Sequence, residues 1–211
     1  MKNYQNKYTM STKRVIIESD CRLEAVLNEK NNGSGVVICH PHPLYGGSMD
    51  NNVVDAVEKG FSEKGFTTLK FNFRGVGASS GHYDEGNGEV NDVLSASTYL
   101  KNLLKEDAHI VLAGYSFGAW VCSRAAKKMK DIKTMFIVAY PFSFYDPAPL
   151  KGFSGRIFFV GGKYDDIAPV EPLLKLYRDL PTVEKYLKII ESDHFFFRKE
   201  REIVEFIKEN I

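Results

Sequence analysis

Between Val111 and Val121 the chain reads VLAGYSFGAWV, an apolar run broken by one hydroxyl, Ser116, with Gly114 two residues before it and Gly118 two after. A serine hydroxyl is a poor nucleophile near neutral pH, so using it needs a base to take its proton and an acid to orient that base. His194, in IIESDHFFF, follows the last apolar run that reads as a strand, and Asp165, in FFVGGKYDDIAP, follows the one before it. The chain order is then Ser, Asp, His, and the chemistry is nucleophilic attack by an activated hydroxyl. Asp166 is the alternative acid, with solvation of its loop or contact with the first turn of the next helix as its other reading. Asp193 is weaker, because adjacent side chains rarely meet in hydrogen-bonding geometry. Of the other histidines, His109 begins a strand and so belongs at the opposite edge, and His82 lies in a glycine-rich stretch. His40 and His42 precede the serine and read as loop-shaping residues. As an H-x-H pair they lack a third ligand at fitting spacing, so no metal is expected.

A tetrahedral oxyanion needs two preorganised N–H donors. Phe117, directly after the serine, supplies one. The second is expected from HPHPLYGG, where Pro41 and Pro43 have no N–H, leaving His42, Leu44 or Tyr45. Leu44 is preferred because Gly46 and Gly47 let the loop fold back over the serine. Tyr45, with Phe142, Phe144 and Tyr145 from YPFSFYDPAPLKGFSG, would wall a shallow apolar substrate site, the alternative being packing within that loop. Arg74 reads as a loop anchor paired with Glu89 or Asp92, and Trp120 as core or pocket wall.

These residues need elements to hold them. RVIIES and RLEAVLNE alternate as a hairpin-like pair, and VVIC, FTTLKFNF, HIVLAG, IKTMFIVAY, RIFFVGG and YLKIIES are short apolar runs of the kind found in strands buried on both faces. Between them helical spacing runs from Val53 to Lys64, through Val90, Val93, Leu94, Ser97, Leu100 and Leu104, over FGAWVCSRAAKKMK, and over VEPLLKLYRDL; REIVEFIKENI closes the chain as an amphipathic helix. The expectation is an α/β domain, a doubly wound and mostly parallel sheet with helices on both faces, begun by an antiparallel pair. Ligands of such sheets sit beyond the carboxyl ends of the strands. Ser116 falls where a strand turns at once into a helix, a turn that strains its central residue and projects the side chain above the sheet. Glycines on either side then allow helix and strand to pass closely.

The 211 residues suit one domain, expected over 15–211 behind a polar segment 1–14. Lys and Arg number 28 against 27 Asp and Glu, scattered along the chain, which argues against nucleic acid or an anionic membrane as partner. Lys127, Lys128 and Lys130 read as the last turn of the helix after Ser116. Three cysteines at unrelated spacings argue against a disulfide framework, and with no apolar leader or 18-residue apolar run the expected compartment is the cytoplasm. Oligomeric state leaves no mark on the sequence.

Taken together, HPHPLYGGSMDNNVV, FNFRGVGASSG, GYSFGAW, GGKYDDIAP and SDHFFF resemble the α/β-hydrolase superfamily, and within it the small, cap-less bacterial branch, over nearly the whole chain from about Val36 to His194. The resemblance implies a serine hydrolase with Ser116 as nucleophile, His194 as base and Asp165 as orienting acid, needing no cofactor. It leaves the substrate open among small to medium carboxylic esters, thioesters and amide or peptide bonds. A non-catalytic binding protein on the same fold and a metal-dependent hydrolase are the competing classes. Larger members insert a lid after the strand that follows the nucleophile helix; here the connection to Arg156 is too short for one.

Overall fold

The computed structural model describes residues 12–30, 33–104, 108–181 and 184–211. Of the polar segment expected over 1–14, residues 1–11 lie outside these, and Thr12 to Arg14 already belong to the first strand. The strands are β1 (Thr12–Ile17), β2 (Leu23–Asn28), β3 (Gly35–Cys39), β4 (Thr67–Phe71), β5 (Ile110–Tyr115), β6 (Thr134–Val138), β7 (Arg156–Gly162) and β8 (Lys185–Ile190). The helices are α1 (Asn52–Glu63), α2 (Asn87–Leu103), α3 (Phe117–Ala126), the single turn α4 (Ala148–Lys151), α5 (Val170–Asp179) and α6 (Glu200–Asn210). The strands form one sheet in the order β1-β2-β4-β3-β5-β6-β7-β8; β2 is antiparallel to both of its neighbours, and every pair from β4 onward is parallel.

Alternation along each strand divides the core in two. Val37, Cys39 and Leu112 face α2, α3 and α5, whereas Val36, Ile38, Val111 and Ala113 face α1 and α6. Strands enclosed on both sides have no need of polar residues, which is why β3 and β5 read as continuous apolar runs. The helix starts are capped locally. The Asn51 side chain accepts the Val53 amide at 2.9 Å at the head of α1, and Glu89 accepts the Asp84 and Gly86 amides at 2.9 and 2.8 Å at the head of α2.

Helix α3 stops four residues short of the expected Lys130. The Lys128 and Met129 amides reach back only three residues, to the carbonyls of Ala125 and Ala126, so the chain tightens and leaves the three lysines exposed beyond the helix. Between β6 and β7 the chain holds only α4, leaving the carboxyl edge of the sheet without a lid. All three cysteines are free, and among the described residues no helix is long and apolar enough to cross a membrane.

Candidate active site

Parallel pairing brings the carboxyl ends of β3, β5, β7 and β8 to one edge: Cys39 lies opposite Gly114, and Gly162 opposite Ile190. The segments that leave this edge carry the chemistry-bearing residues. Ser116 joins β5 to α3 with φ 55° and ψ −120°, a backbone conformation that costs a residue with a Cβ on the order of 1–3 kcal/mol. The glycines on either side let α3 pass this close: a Cβ on Gly114 would meet the Gly118 carbonyl, and one on Gly118 would meet the Cys39 carbonyl.

The structure brings Ser116, His194 and Asp165 together. Ser116 Oγ lies 2.9 Å from His194 Nε2, and His194 Nδ1 lies 2.8 Å from Asp165 Oδ2. All three residues are buried. Asp165 is itself held, because its other oxygen, Oδ1, accepts the amides of Ile167 at 2.9 Å and Ala168 at 2.7 Å. A carboxylate can only accept from Nδ1–H, so the imidazole keeps its Nε2 lone pair for the serine proton. Asp166, the alternative acid, is exposed, and Asp193 accepts the Phe195 amide at 3.0 Å within its own loop.

Sequence reasoning did not find the groups that hold the histidine loop. The Tyr115 hydroxyl donates to the His194 carbonyl at 2.8 Å, and the Asn52 side-chain amide donates to the Phe195 carbonyl at 2.9 Å. Burial pushes the Tyr115 phenol above its ordinary range, so it remains a donor. The available signal was position: Tyr115 ends the nucleophile strand and Asn52 opens the first helix.

For the oxyanion, Phe117 stands where expected, at the first position of α3 facing the cavity, but Leu44 does not. The Leu44 amide donates to His42 Nδ1 at 3.2 Å, and its side chain is 67 % exposed. Loop closure explains the difference. Residues Pro43–Tyr45 form a 3-10 turn whose Tyr45, Gly46 and Gly47 amides fold back on the His42, Pro43 and His42 carbonyls. Among the described residues that line the cavity, the amides of Phe117 and His42 have no acceptor within the protein, and neither have those of Asn51 and His194.

His40 and His42 are structural, as expected. His40 is fully buried; its Nδ1–H donates to the Pro41 carbonyl at 2.6 Å and its Nε2 accepts the Phe73 amide at 3.0 Å, so it ties the loop after β3 to the loop after β4. Burial lowers it to about 4, keeping it neutral. His42 uses Nδ1 for Leu44 and Nε2 for the Tyr83 hydroxyl at 3.2 Å, so neither ring has a nitrogen free for a metal. His109 bonds Thr134 at 2.9 Å at the start of β5, and His82 is exposed. Arg74 pairs with fully buried Asp92 at 2.7 Å, one of its two expected partners, while Glu89 caps α2.

A cavity of about 490 Å³ opens over Ser116. Of the four aromatic residues expected there, Tyr45, Phe144 and Tyr145 line it, but Phe142 does not, because its ring turns down against Tyr140 and the core. Trp120 stands behind the wall, stacked flat on Tyr145 at 3.9 Å. The arrangement offers the Ser116 hydroxyl a nitrogen that can take its proton, at the floor of a cavity that can hold a small apolar group.

Comparison with known proteins agrees with this architecture. An uncharacterized protein, RP471, of Rickettsia prowazekii (strain Madrid E) is 33% identical over 179 residues, which cover 79% of this chain and 73% of that protein. The structure of an alpha-beta serine hydrolase homologue from Coxiella burnetii superposes with TM-score 0.87 at 31% identity, covering 97% of this chain and all of that one. XC6422 from Xanthomonas campestris, described as a serine hydrolase without lid, gives TM-score 0.87 at 24% identity over 98% of this chain and 96% of its own. The description of the alpha/beta hydrolase domain matches residues 36–208, and the chain belongs to the α/β-hydrolase family.

Proposed function

We propose that the protein is a serine hydrolase of small to medium carboxylic esters, acting through an acyl-enzyme. The single observation that carries this reading is the unbroken contact from Asp165 through His194 to a strained Ser116 at the floor of an apolar cavity. His194 Nε2 takes the hydroxyl proton as Oγ attacks the carbonyl carbon, and the negative charge that develops on the carbonyl oxygen is met by the Phe117 and His42 amides. The imidazolium then gives its proton to the departing alcohol, and water, activated by the same nitrogen, cleaves the acyl-enzyme. Asp165 stabilises the imidazolium without accepting its proton. The relay gives the hydroxyl a partner that a binding protein would have no reason to build. The bond cleaved is read as an ester because a cavity of about 490 Å³ walled by apolar side chains suits a small acyl group and its alcohol.

Incubating the protein and its Ser116→Ala variant with a fluorophosphonate, and measuring the mass of each intact chain, tests the reading. A covalent adduct on the parent alone is expected. A folded parent that takes no adduct overturns it.

A further inference from the structure

We propose that the ester this cavity selects is uncharged and carries a flat aromatic group. The inference rests on the serine-hydrolase reading and adds the substrate class. Charge is the first consideration. Among the described residues no Asp, Glu, Lys or Arg lines the cavity, so a substrate carboxylate or ammonium would leave water with no counter-ion to meet it. Of the carboxylates behind the walls, Asp165 is buried and committed to His194 and two amides, Asp193 accepts the Phe195 amide, and Glu89 is buried and committed to the Asp84 and Gly86 amides.

The walls are the second. Tyr45, Tyr115, Phe117, Phe144, Tyr145 and Phe195 give the lining six rings. Tyr145 and Phe117, deeper in the cavity, are held in place. Tyr145 lies on Trp120 with ring planes 14° apart, Arg124 sits 4.7 Å over the Trp120 ring, and the Tyr145 hydroxyl interacts with that of Tyr83, which is in turn bonded to His42. His42 packs its ring 4.7 Å from that of Phe117, joining the wall to the floor. A fixed aromatic wall gains offset or edge-to-face contact from a rigid planar group, whereas an alkyl chain must give up rotational freedom to lie along it. At the mouth, Tyr45 is 87 % exposed and Phe144 70 % exposed with no lid to cover them, and a bound ring would take both from water.

Two matched series separate shape and charge from intrinsic reactivity: methyl esters of 3-phenylpropionic, 3-cyclohexylpropionic and hexanoic acid, and acetates of the corresponding alcohols, with 4-carboxyphenyl and 4-trimethylammoniophenyl members added to each. In at least one series the phenyl member is expected to exceed the cyclohexyl member by roughly three- to tenfold in kcat/KM, with both charged members lower than the phenyl. Tyr145→Leu should erase the phenyl preference and Tyr145→Phe should keep it. The inference is overturned by equal or better turnover of the cyclohexyl or alkyl members in both series, by preference for either charged member, or by no turnover of the phenyl members. Fluorophosphonate labelling of the parent separates the two failures: a labelled serine without the preference sinks the substrate class alone, and a folded parent that takes no label sinks the hydrolase reading with it.

Discussion

The Tyr115 hydroxyl donates a 2.8 Å hydrogen bond to the backbone carbonyl of His194, tying the residue before the nucleophile to the base itself. Their rings lie 5.4 Å apart, so the phenol fixes where the imidazole loop stands relative to the strand that carries Ser116. That loop needs fixing, because it passes through positive φ at both Phe196 (54°) and Arg198 (64°).

Tyr115→Phe keeps the ring and removes the tether. The expected result is a fall in kcat of about tenfold with KM unchanged, since misplacing the base affects the transition state more than substrate binding. Steady-state kinetics on the best ester found, with a thermal melt as control for folding, checks this. A rise in KM with kcat intact would show that Tyr115 serves the pocket instead.

Asp165→Asn presents an amide N–H to His194 Nδ1, which turns the imidazole to the tautomer that cannot take the serine proton. A loss of about a thousandfold or more in kcat is expected, with the fold preserved because the side-chain oxygen can still accept the Ile167 and Ala168 amides. Asp166→Asn, on an exposed side chain, should change kcat by less than about twofold. The reverse pattern would reassign the acid.

The His42 amide can be removed without bending the chain. His42 has φ −59°, which proline adopts, so His42→Pro deletes the N–H along with the imidazole, and His42→Ala deletes the imidazole alone. On the order of a hundredfold separates the two in kcat if this amide binds the oxyanion. Equal activity would move the second donor elsewhere in the loop.

Stability should carry the signature of buried His40. Its folded value of about 4 lies below the ordinary 6.5, so between these limits the unfolded chain binds the extra proton. Stability is therefore lost as pH falls from 6.5 toward 4 and levels off below, a change of up to about 3 kcal/mol from this group. Denaturant unfolding across that range should show the slope in the parent and a shallower one in His40→Gln. Parallel curves would mean that His40 does not set it.

Chemistry was legible in the sequence wherever local rules decide it. A hydroxyl two residues from a glycine on each side, at a strand running into a helix, specifies an elbow. Apolar runs alternating with helical stripes specify a parallel sheet, and that sheet places the residue after each strand at one edge. Those rules put Ser116, Asp165 and His194 in reach of one another although the first and last are 78 residues apart. Between Asp165 and Asp166 the sequence offers only a preference, the first acid standing in the loop while Pro169 opens the next helix; the capping of the Ile167 and Ala168 amides by Asp165 is visible only in the fold.

What the residues alone left open were matters of a few ångströms. In HPHPLYGG three amides remained as candidates, and the folded loop uses those of Leu44 and Tyr45 to close its own turn, leaving that of His42, a residue that lines the cavity. Of three aromatic residues in one short connection, Phe144 and Tyr145 reach the cavity and Phe142 packs beneath it. The sequence by itself determined the sheet, the elbow and the three side chains that meet above it, because periodicity and strand ends are properties of the chain in order. Only the tertiary structure decided which amides the loop after β3 spends on its own turn, which rings form the wall and which phenol holds the His194 loop, because those depend on how loops distant in sequence share hydrogen bonds and space.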